Sequence, residues 1–481
     1  MLNYKKRPLQ DLKIGQAMKK SLKEFANQTL VHCYHYVVEP NRHFVEILMW
    51  WTLHIIITIA AIYIMMYAWS SFTDNPTITT LESQHYPIYN LNFPAVGICS
   101  NNKISRREAE NYADFLMKSE RIKKSYETKE KVMEMIRYFG RIYDPEERGK
   151  NEFVRFQDIL DDVDVNQTTG SFELKQTLYR LAPKCEDLLV RCKWADYDVN
   201  CFQLFETRRS SEGFCCMFNY AKRTDKHTQS KKAYKPLGIG RTMGITVLLN
   251  LSTSDYFYQS KSFNGATVLI FNPQEFADIT SGGVGIIPVQ AYHESNIAVQ
   301  ITTKVAEREV QSYSIEKREC MFPSDNADEY NGDYIYSDCL VKCKLKSVLA
   351  LCNCVPFNSP TNFHDVPTAH LPFCNLDHVG CLSKYRVKWL TYRPRESIPG
   401  LELEMEDGLS CPSCYPLCSS STYNVDSTSA HLNFFYEYAS SIISGFNDSE
   451  DLTVFSMPGM TFLVILAEFC LYVLASQSLA S

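Results

Sequence analysis

The amino-acid sequence predicts a membrane protein of the α+β class, in which two transmembrane helices flank a large, disulfide-rich extracellular domain with a β core and peripheral helices. Three observations support this prediction. Two apolar runs lie near the ends of the 481-residue chain, sixteen of its 18 cysteines lie between those runs, and the middle of the chain is rich in strand-forming segments.

Composition and charge argue against other classes of protein. Charged residues make up 22% and hydrophobic residues 45% of the chain, which are ordinary values and argue against a disordered or fibrous protein. The net charge of -6 argues against a nucleic-acid partner, because a protein that binds nucleic acid normally carries a basic patch.

The first apolar run, residues 47–69, carries no acidic or basic side chain other than His54. Its 23 residues give about 34 Å of helix, enough to cross a bilayer core of about 30 Å. It is too long, and starts too far from the N-terminus, to be a cleaved signal peptide. A buried core helix is the alternative, but Trp and Tyr at its ends suit an interfacial aromatic belt. We therefore predict a transmembrane helix.

The second apolar run, residues 452–474, is also 23 residues long but contains Pro458, Gly459 and Glu468. A carboxylate inside a membrane is costly and normally faces a partner helix or a water-filled path. Pro and Gly there expose backbone groups that only protein or pore water can satisfy. We predict an atypical transmembrane helix; the alternative is a lipid-anchor signal, with small residues at 444–445 ahead of a hydrophobic tail.

Charge sets the orientation of the chain. Residues 1–43 carry eight Lys or Arg side chains against three acidic ones, a balance of +5, which places the N-terminus in the cytosol. With two spans, the protein is a multi-pass protein of the plasma membrane with both termini cytosolic. The predicted domains outside the helices are a cytosolic N-terminus at 1–46, an extracellular domain at 70–451 and a short cytosolic tail at 475–481.

The cysteines agree with this topology. Cys33 precedes the first run and Cys470 lies within the second, so the other sixteen fall in the extracellular region, where an even number favours disulfides. Three glycosylation sequons lie in the same region, at Asn166, Asn250 and Asn447.

Closely spaced cysteines raise the alternative of zinc binding. Cys352 and Cys354 form one close pair, and Cys411 and Cys414 form another with the spacing of a zinc half-site. Extracellular, glycosylated surroundings favour disulfides instead, so we expect no metal. The sequence has no Walker loop and no GxSxG, HExxH or GxGxxG motif, so we expect neither an enzyme nor a cofactor.

The extracellular region has three stretches of different character. Residues 100–184 are charge-rich and partly helical, with Ala113 and Leu116 on one face of an amphipathic helix. Residues 185–318 predict mainly strands, because branched residues are bounded by Gly and Asn. Residues 319–418 hold a dense block of cysteines. Since no repeat or Gly/Ser linker separates them, we predict one compact unit.

Several motifs follow one another in a specific order and with specific cysteine spacing. They are FPAVGIC (93–99), GFCCMFN (213–219), VLIFNPQEF (268–276), REC (318–320), YSDCLVKC and LCNCVPF (within 336–357), FCNLDHVGCLSKY (373–385) and SCPSCYPLCSSSTYNV (410–425). In this order and spacing the chain resembles the degenerin/epithelial sodium channel family, and the doubled Cys215-Cys216 is most similar to its insect pickpocket branch.

The resemblance implies a homo- or hetero-trimer of related subunits in plasma-membrane lipid, with a cation pore lined by the second helix of each subunit. It implies that this chain is a subunit of an amiloride-sensitive, sodium-selective channel that is gated through its extracellular domain and moves Na+. The alternative is a non-conducting accessory subunit, or a ligand-binding cell-surface receptor, of the same fold. The stimulus, whether an extracellular ligand or a mechanical tether, stays open.

The resemblance also implies a ladder of nested disulfides. Since each bridge removes loop entropy from the unfolded chain, nested bridges stiffen a rod that carries a change at its tip to the membrane. Cys99 is expected to pair with Cys215 or Cys216, and Cys185, Cys192 and Cys201 stay unassigned. The ladder pairs are Cys320–Cys418, Cys339–Cys414, Cys343–Cys411, Cys352–Cys381 and Cys354–Cys374.

One departure from the family pattern concerns gating. The family's cytosolic gating dipeptide is His-Gly, and this chain has His32-Cys33 at that position. A side chain on Cys33 restricts a backbone that glycine would leave free. We predict a gating role for this dipeptide; the alternative is that His32 is a polar residue beside the membrane with no such role.

A second departure concerns the pore. Between Tyr423 and Glu468 the chain is some tens of residues shorter than similar proteins, and the nearest match to the family's Gly-x-Ser filter is Gly459-Met460-Thr461. We predict that these three residues form the selectivity filter and that Glu468 contributes to a ring of carboxylates that attracts cations. The alternatives are an ordinary Pro-kinked helix and a carboxylate that bonds to a neighbouring helix.

Overall fold

The structure is a computed structural model of the 481-residue chain. It divides into two units, Met1–Pro76 with Leu471–Ser481 and Thr77–Cys470, which are described separately. The residues that it describes are 14–28, 43–74, 77–83, 86–146, 150–164, 172–222, 233–325, 334–360, 372–394, 399–400, 407–431, 452–459 and 462–470.

The first unit has two helices among its described residues, α1 (Ile14–Gln28) and α2 (Phe44–Asp74). Helix α2 contains the whole predicted span at 47–69, and its most apolar 18-residue window has a mean hydropathy of 2.0. None of that window is buried within the protein. By length and composition, α2 is the one described helix able to cross a membrane. A helix that is apolar all round and exposed has the surface that lipid requires.

The described strands of the second unit form three sheets. The first has eight strands in the order β1-β15-β12-β14-β8-β4-β5, with β13 paired to β12; the second has the order β11-β10-β2-β7-β6; the third pairs β3 with β9. The strands are β1 (Thr77–Ser83), β2 (Ala95–Ser100), β3 (Asn102–Ser105), β4 (Leu189–Trp194), β5 (Tyr197–Val199), β6 (Phe205–Ser210), β7 (Gly213–Phe218), β8 (Gly240–Asn250), β9 (Tyr256–Gln259), β10 (Gly265–Phe271), β11 (Gly285–Gln290), β12 (His293–Ala306), β13 (Ser420–His431), β14 (Leu452–Gly459) and β15 (Phe462–Cys470).

Helices surround these sheets. Those among the described residues are α3 (Arg106–Leu116), α4 (Glu120–Tyr126), α5 (Lys129–Arg137), α6 (Lys150–Val163), α7 (Leu174–Leu181), α8 (Cys185–Leu188), α9 (Cys201–Leu204), α10 (Ile315–Arg318), α11 (Tyr336–Cys352), α12 (Val379–Lys384) and α13 (Arg386–Leu390).

The main hydrophobic core lies between the two large sheets. Because alternate residues of a strand point to opposite faces, Val96 and Ile98 of β2 enter this core, whereas Cys99 belongs to a separate cluster on the other face. The two sheets fill the core with branched side chains from four strands, among them Val96, Ile98, Val247, Leu249, Val268, Ile270, Ile297 and Val299.

Helices α3 to α7 form a second core. Ala113 and Leu116 of α3 are fully buried there, as the apolar spacing of the sequence predicts. The side chain of Ser105 accepts a hydrogen bond from the Glu108 backbone N–H, and this cap starts α3 directly after β3. The same device starts α5, where Thr128 accepts from the backbone N–H of Lys131.

The transmembrane helix predicted over 452–474 is not shown by the residues that the structure describes. They form strands β14 and β15, and residues 471–474 lie outside the described part. Strand β14 pairs antiparallel with β8, and β15 lies between β12 and β1. A short apolar run does not distinguish helix from strand by its period, and Pro458 and Gly459 both disfavour a continuous helix.

Candidate functional site

The adjacent cysteines of β7, Cys215 and Cys216, form disulfides on opposite faces of their sheet. Cys215 pairs with Cys99 of the neighbouring strand β2, with a Cα–Cα distance of 4.5 Å. Cys216 points into the core between the sheets and pairs with Cys185 at the start of α8, at 5.8 Å. A third bridge joins Cys192 to Cys201. The structure thus selects Cys215 as the partner of Cys99 and gives partners to the three cysteines that the sequence left unassigned.

The cysteine-dense block forms the nested ladder. Cys339 and Cys343 lie one turn apart on α11, so both face the segment that holds Cys411 and Cys414. The three nested pairs close sequence separations of 98, 75 and 68 residues. All five pairs expected from the resemblance are present: Cys320–Cys418, Cys339–Cys414, Cys343–Cys411, Cys352–Cys381 and Cys354–Cys374.

The ladder leads directly into the large sheet. Cys418 donates its backbone N–H to the Met321 carbonyl at 3.1 Å, two residues before β13 begins. Strand β13 then pairs with β12 from Ser420 to His431 without a break in register. The last cysteine of the disulfide ladder is thus connected to the eight-stranded sheet directly through β13.

Buried charges hold α11 against the rest of the domain. Lys222 forms an ion pair with Asp338, and the two side chains are 12% and 9% exposed. One turn and a half further along α11, Lys344 contacts the carboxylate of Asp278 at 3.4 Å and donates to Thr280 at 3.0 Å. Two buried attachments thus fix the ladder helix to the loop that follows β10 and to the segment that follows β7.

A buried carboxyl lies beside the first attachment. Burial raises the pKa of Glu275 above its ordinary value, while the Ser337 hydroxyl and the Lys222 ammonium oppose the change. The N-terminal end of α11 therefore has a cluster of three ionisable groups, Glu275, Lys222 and Asp338.

The segment that follows α11 is attached by hydrogen bonds and ring contacts. Arg209 of β6 donates to the carbonyl oxygens of Phe357 and Ser359 at 2.8 and 3.1 Å. The Phe357 ring packs edge-on against Tyr143, with 5.1 Å between centroids, and also contacts Phe214. This end of the ladder therefore contacts both the helical layer and the five-stranded sheet.

A second ionic cluster lies between those layers. The Lys103 ammonium donates to the Glu212 backbone carbonyl at 2.9 Å and pairs with its carboxylate at 3.4 Å, while Lys261 contacts the same carboxylate at 3.2 Å. Burial alone would raise the pKa of Glu212, but the two ammonium charges outweigh it and hold the pKa below its ordinary value. Burial lowers the pKa of Lys103 in spite of Glu212.

The predicted pore and gating residues are not brought together by the described structure. Gly459 ends β14 opposite Gly240, and Glu468 lies within β15, in register with Thr79 and Ala306. Four of the predicted residues lie outside the described part: His32, Cys33, Met460 and Thr461.

The sequons and the close cysteine pairs are placed as follows. Asn250 ends β8 half-buried, and its side-chain oxygen accepts hydrogen bonds from the backbone and hydroxyl of Ser252, the third residue of its sequon. Asn166 and Asn447 lie outside the described residues. The residues named as the zinc alternative are disulfide-bonded, and the described part has no group of three or more His, Cys, Asp or Glu residues that could hold a metal.

Sequence reasoning missed the charged attachments of α11. Lys222 and Asp338 are 116 residues apart, and Lys344 and Asp278 are 66 apart, so no local pattern joins them. The one available signal was the presence of Asp338 and Lys344 on a helix whose cysteines already fixed its buried face.

Comparison with known proteins identifies the family. The model of the amiloride-sensitive sodium channel family matches residues 25–457. Sodium channel protein Nach of Drosophila ananassae is 24% identical over 379 residues, covering 76% of this chain and 69% of the relative. Nach of Drosophila melanogaster is 21% identical over 381 residues (76% and 67%), and Pickpocket protein 28 of the same species is 21% identical over 450 residues (86% and 66%). Since the family match covers most of the chain, this protein belongs to the amiloride-sensitive sodium channel family, whose members are membrane channels.

Proposed function

We propose that this chain is a subunit of an amiloride-sensitive, sodium-selective channel of the plasma membrane, gated through its extracellular domain. The observation that carries the proposal is the family match over 25–457, which includes α2, the five-stranded sheet, the eight-stranded sheet up to β14 and the whole disulfide ladder. Relatives of similar sequence bear the name of sodium channel proteins. The chain would assemble with copies of itself or with related subunits, as a trimer, around the conduction path.

The architecture of the second unit supports gating from outside. Eight disulfides require an oxidising compartment, which favours an extracellular location for residues 77–470. The rod formed by the ladder delivers its displacement to β12 and β13. Strand β1 belongs to the same sheet and begins three residues after α2 ends. We propose that a movement of this sheet reaches α2 along the chain, because two residues of the sequence separate the two elements.

Voltage clamp tests the proposal. Cells that express this chain, alone and together with related subunits, should show a sodium current that amiloride blocks. Surface labelling must accompany each recording, because a chain that stays inside the cell gives no current for a trivial reason. Absence of a current in every combination, with the chain present at the surface, would contradict conduction.

The strand pairing of 452–470 favours a second candidate, a non-conducting accessory subunit. A segment that pairs with β8, β12 and β1 is not available to line a pore while those pairings last. Such a subunit would carry no current alone but would change the current of a co-expressed relative. Substitution of Gly459 or Thr461 separates the candidates, since it shifts ion selectivity only if this chain contributes to the conduction path.

A further inference from the structure

Helix α1 has a one-sided distribution of apolar residues, unlike α2. Successive residues of a helix are rotated by about 100°, so Ile14, Met18, Leu22 and Phe25 fall within one narrow arc. Lysines occupy the opposite side. A helix with this pattern covers an apolar surface with one face and leaves the other in water.

The apolar face is exposed in the structure. Met18, Leu22 and Phe25 are 61%, 59% and 58% exposed. No residue of α1 whose burial the structure describes is buried. Exposed side chains of this size, aligned along a 15-residue helix, are typical of a segment that lies in the plane of a membrane surface.

Charge indicates which surface covers this face. Lys19, Lys20 and Lys23 lie on the polar side of the helix, opposite the apolar arc, and Glu24 is the one acidic residue of α1. The cytosolic leaflet carries anionic lipids and attracts basic segments. Residues 29–43 connect α1 to α2, and a chain of fifteen residues spans at most about 50 Å, so α1 stays within that distance of the helix that is suited to cross the bilayer.

We propose that α1 lies in the interface of an anionic bilayer, with Met18, Leu22 and Phe25 among the acyl chains and the three lysines on the lipid headgroups. The membrane lipid is thus a ligand of the N-terminal segment as well as the solvent of α2. This inference depends on the membrane location of the family and not on whether the chain conducts.

The consequence is a dependence on lipid charge. Each lysine near an anionic surface strengthens binding roughly fivefold, so removal of three charges should release the helix. Attraction of this kind also falls as salt screens it.

Spin labels on the full chain in vesicles test the proposal. Cys33→Ser and Cys470→Ser remove the two cysteines outside the eight disulfides, and a nitroxide is then attached through Leu22→Cys on the apolar face or, as the matched control, Lys20→Cys on the polar face. The readout is the ratio of collision rates with oxygen, which concentrates in lipid, and with a water-soluble nickel chelate.

In vesicles of phosphatidylcholine and phosphatidylserine, the ratio should be high at residue 22 and low at residue 20. Replacement of Lys19, Lys20 and Lys23 by glutamate should abolish the high value at residue 22, whereas replacement by arginine should preserve it. In vesicles of pure phosphatidylcholine, which carry no net negative charge, the collision ratio at residue 22 should fall.

Two results would overturn the proposal. A probe at residue 22 that the nickel chelate reaches equally well in both lipids means that the helix stays in water. A probe shielded from both oxygen and nickel in both lipids means that protein covers the face instead. Neither result depends on a sodium current, so failure here is distinguishable from failure of the proposed function.

Discussion

Lys222 and Asp338, which are 116 residues apart in the sequence, form a buried ion pair that joins the segment after β7 to the helix of the disulfide ladder. The ladder is stiff by covalent connection, but it is fixed to the sheets by a few polar contacts. Besides β13, which follows the ladder directly in the chain, these contacts connect the ladder to the sheets.

Replacement of Asp338 by asparagine should destabilise the domain by about 3–5 kcal/mol, because it removes the carboxylate paired with the largely buried Lys222 ammonium. Denaturant titration of the detergent-solubilised chain, with its disulfides intact, measures this loss. The control is Asp198→Asn, which breaks the exposed pair with Arg191 and should cost about 1 kcal/mol or less. Equal losses in the two variants would contradict a structural role for the buried pair.

Removal of one middle rung of the ladder should cost less than its sequence separation suggests. Cys339–Cys414 closes 75 residues, but the rungs on either side hold the same loop when this one is replaced by serines. We expect a loss of about 3 kcal/mol or less.

The comparison is the Cys99–Cys215 disulfide, which closes 116 residues and is not nested between two other disulfides. Its replacement by serines should cost roughly 4–5 kcal/mol. Comparison of the unfolding free energies of the two double variants tests whether the neighbouring rungs reduce the loss. A greater loss for the ladder rung would mean that the rungs act independently.

Glu275 should make stability depend on pH. Its pKa is raised in the folded protein, so its favourable contribution is present below the unfolded value near 4.5 and is lost as the pH rises through the folded value. Glu275→Gln imitates the protonated form and should gain stability relative to the parent as the pH rises from 4.5 toward neutrality.

Glu212→Gln is the matched opposite. Because the Glu212 pKa is lowered, its contribution is present above the unfolded value near 4.5 and is lost as the pH falls through the folded value. The free energy of unfolding of this variant should be lower than that of the parent at neutral pH. The difference between the two free energies should become smaller as the pH falls. If the two variants shift in the same direction, the cause assigned to one of the pKa changes is wrong.

Gly265→Ala should disrupt the start of β10. A Cβ at this position would overlap the backbone carbonyl oxygen of Val289 in the paired strand β11, and backbone cannot move aside without breaking the ladder of hydrogen bonds. The expected loss is about 1–3 kcal/mol. In Gly238→Ala the nearest atom belongs to the flexible Met243 side chain, so this control should stay within about 0.5 kcal/mol. Thermal unfolding of both variants distinguishes a clash from a general loss of glycine.

Features that depend on local pattern could be predicted from the sequence. Helix α2 follows from an unbroken apolar run, and the buried face of α3 follows from its spacing. The nested cysteine pairs required the resemblance, because spacing alone allows many pairings. The partner of Cys185 depends on how α8 and β7 meet in space, which no local pattern records, whereas Cys192 pairs with Cys201 only nine residues further along the chain.

The difference between the helix predicted at 452–474 and the strands β14 and β15 has a similar physical origin. Apolarity measures how strongly a segment avoids water, but it does not distinguish lipid from the interior of a sheet. Strands β14 and β15 find their partners in β8, β12 and β1, segments more than 150 residues away along the chain. Only the full set of pairings decides between the two environments.

The neighbouring thiols of β7 have a consequence for the oxidation of this protein during its synthesis. Cys215 and Cys216 look to opposite sides, so an exchange of their partners would turn the strand over and put its core side chains into the wrong layer. The native pair of disulfides can therefore form only when β7 is aligned with its neighbours in the correct register, to within one residue. A mispaired bond must be reopened by thiol–disulfide exchange before the strand can reach its native alignment.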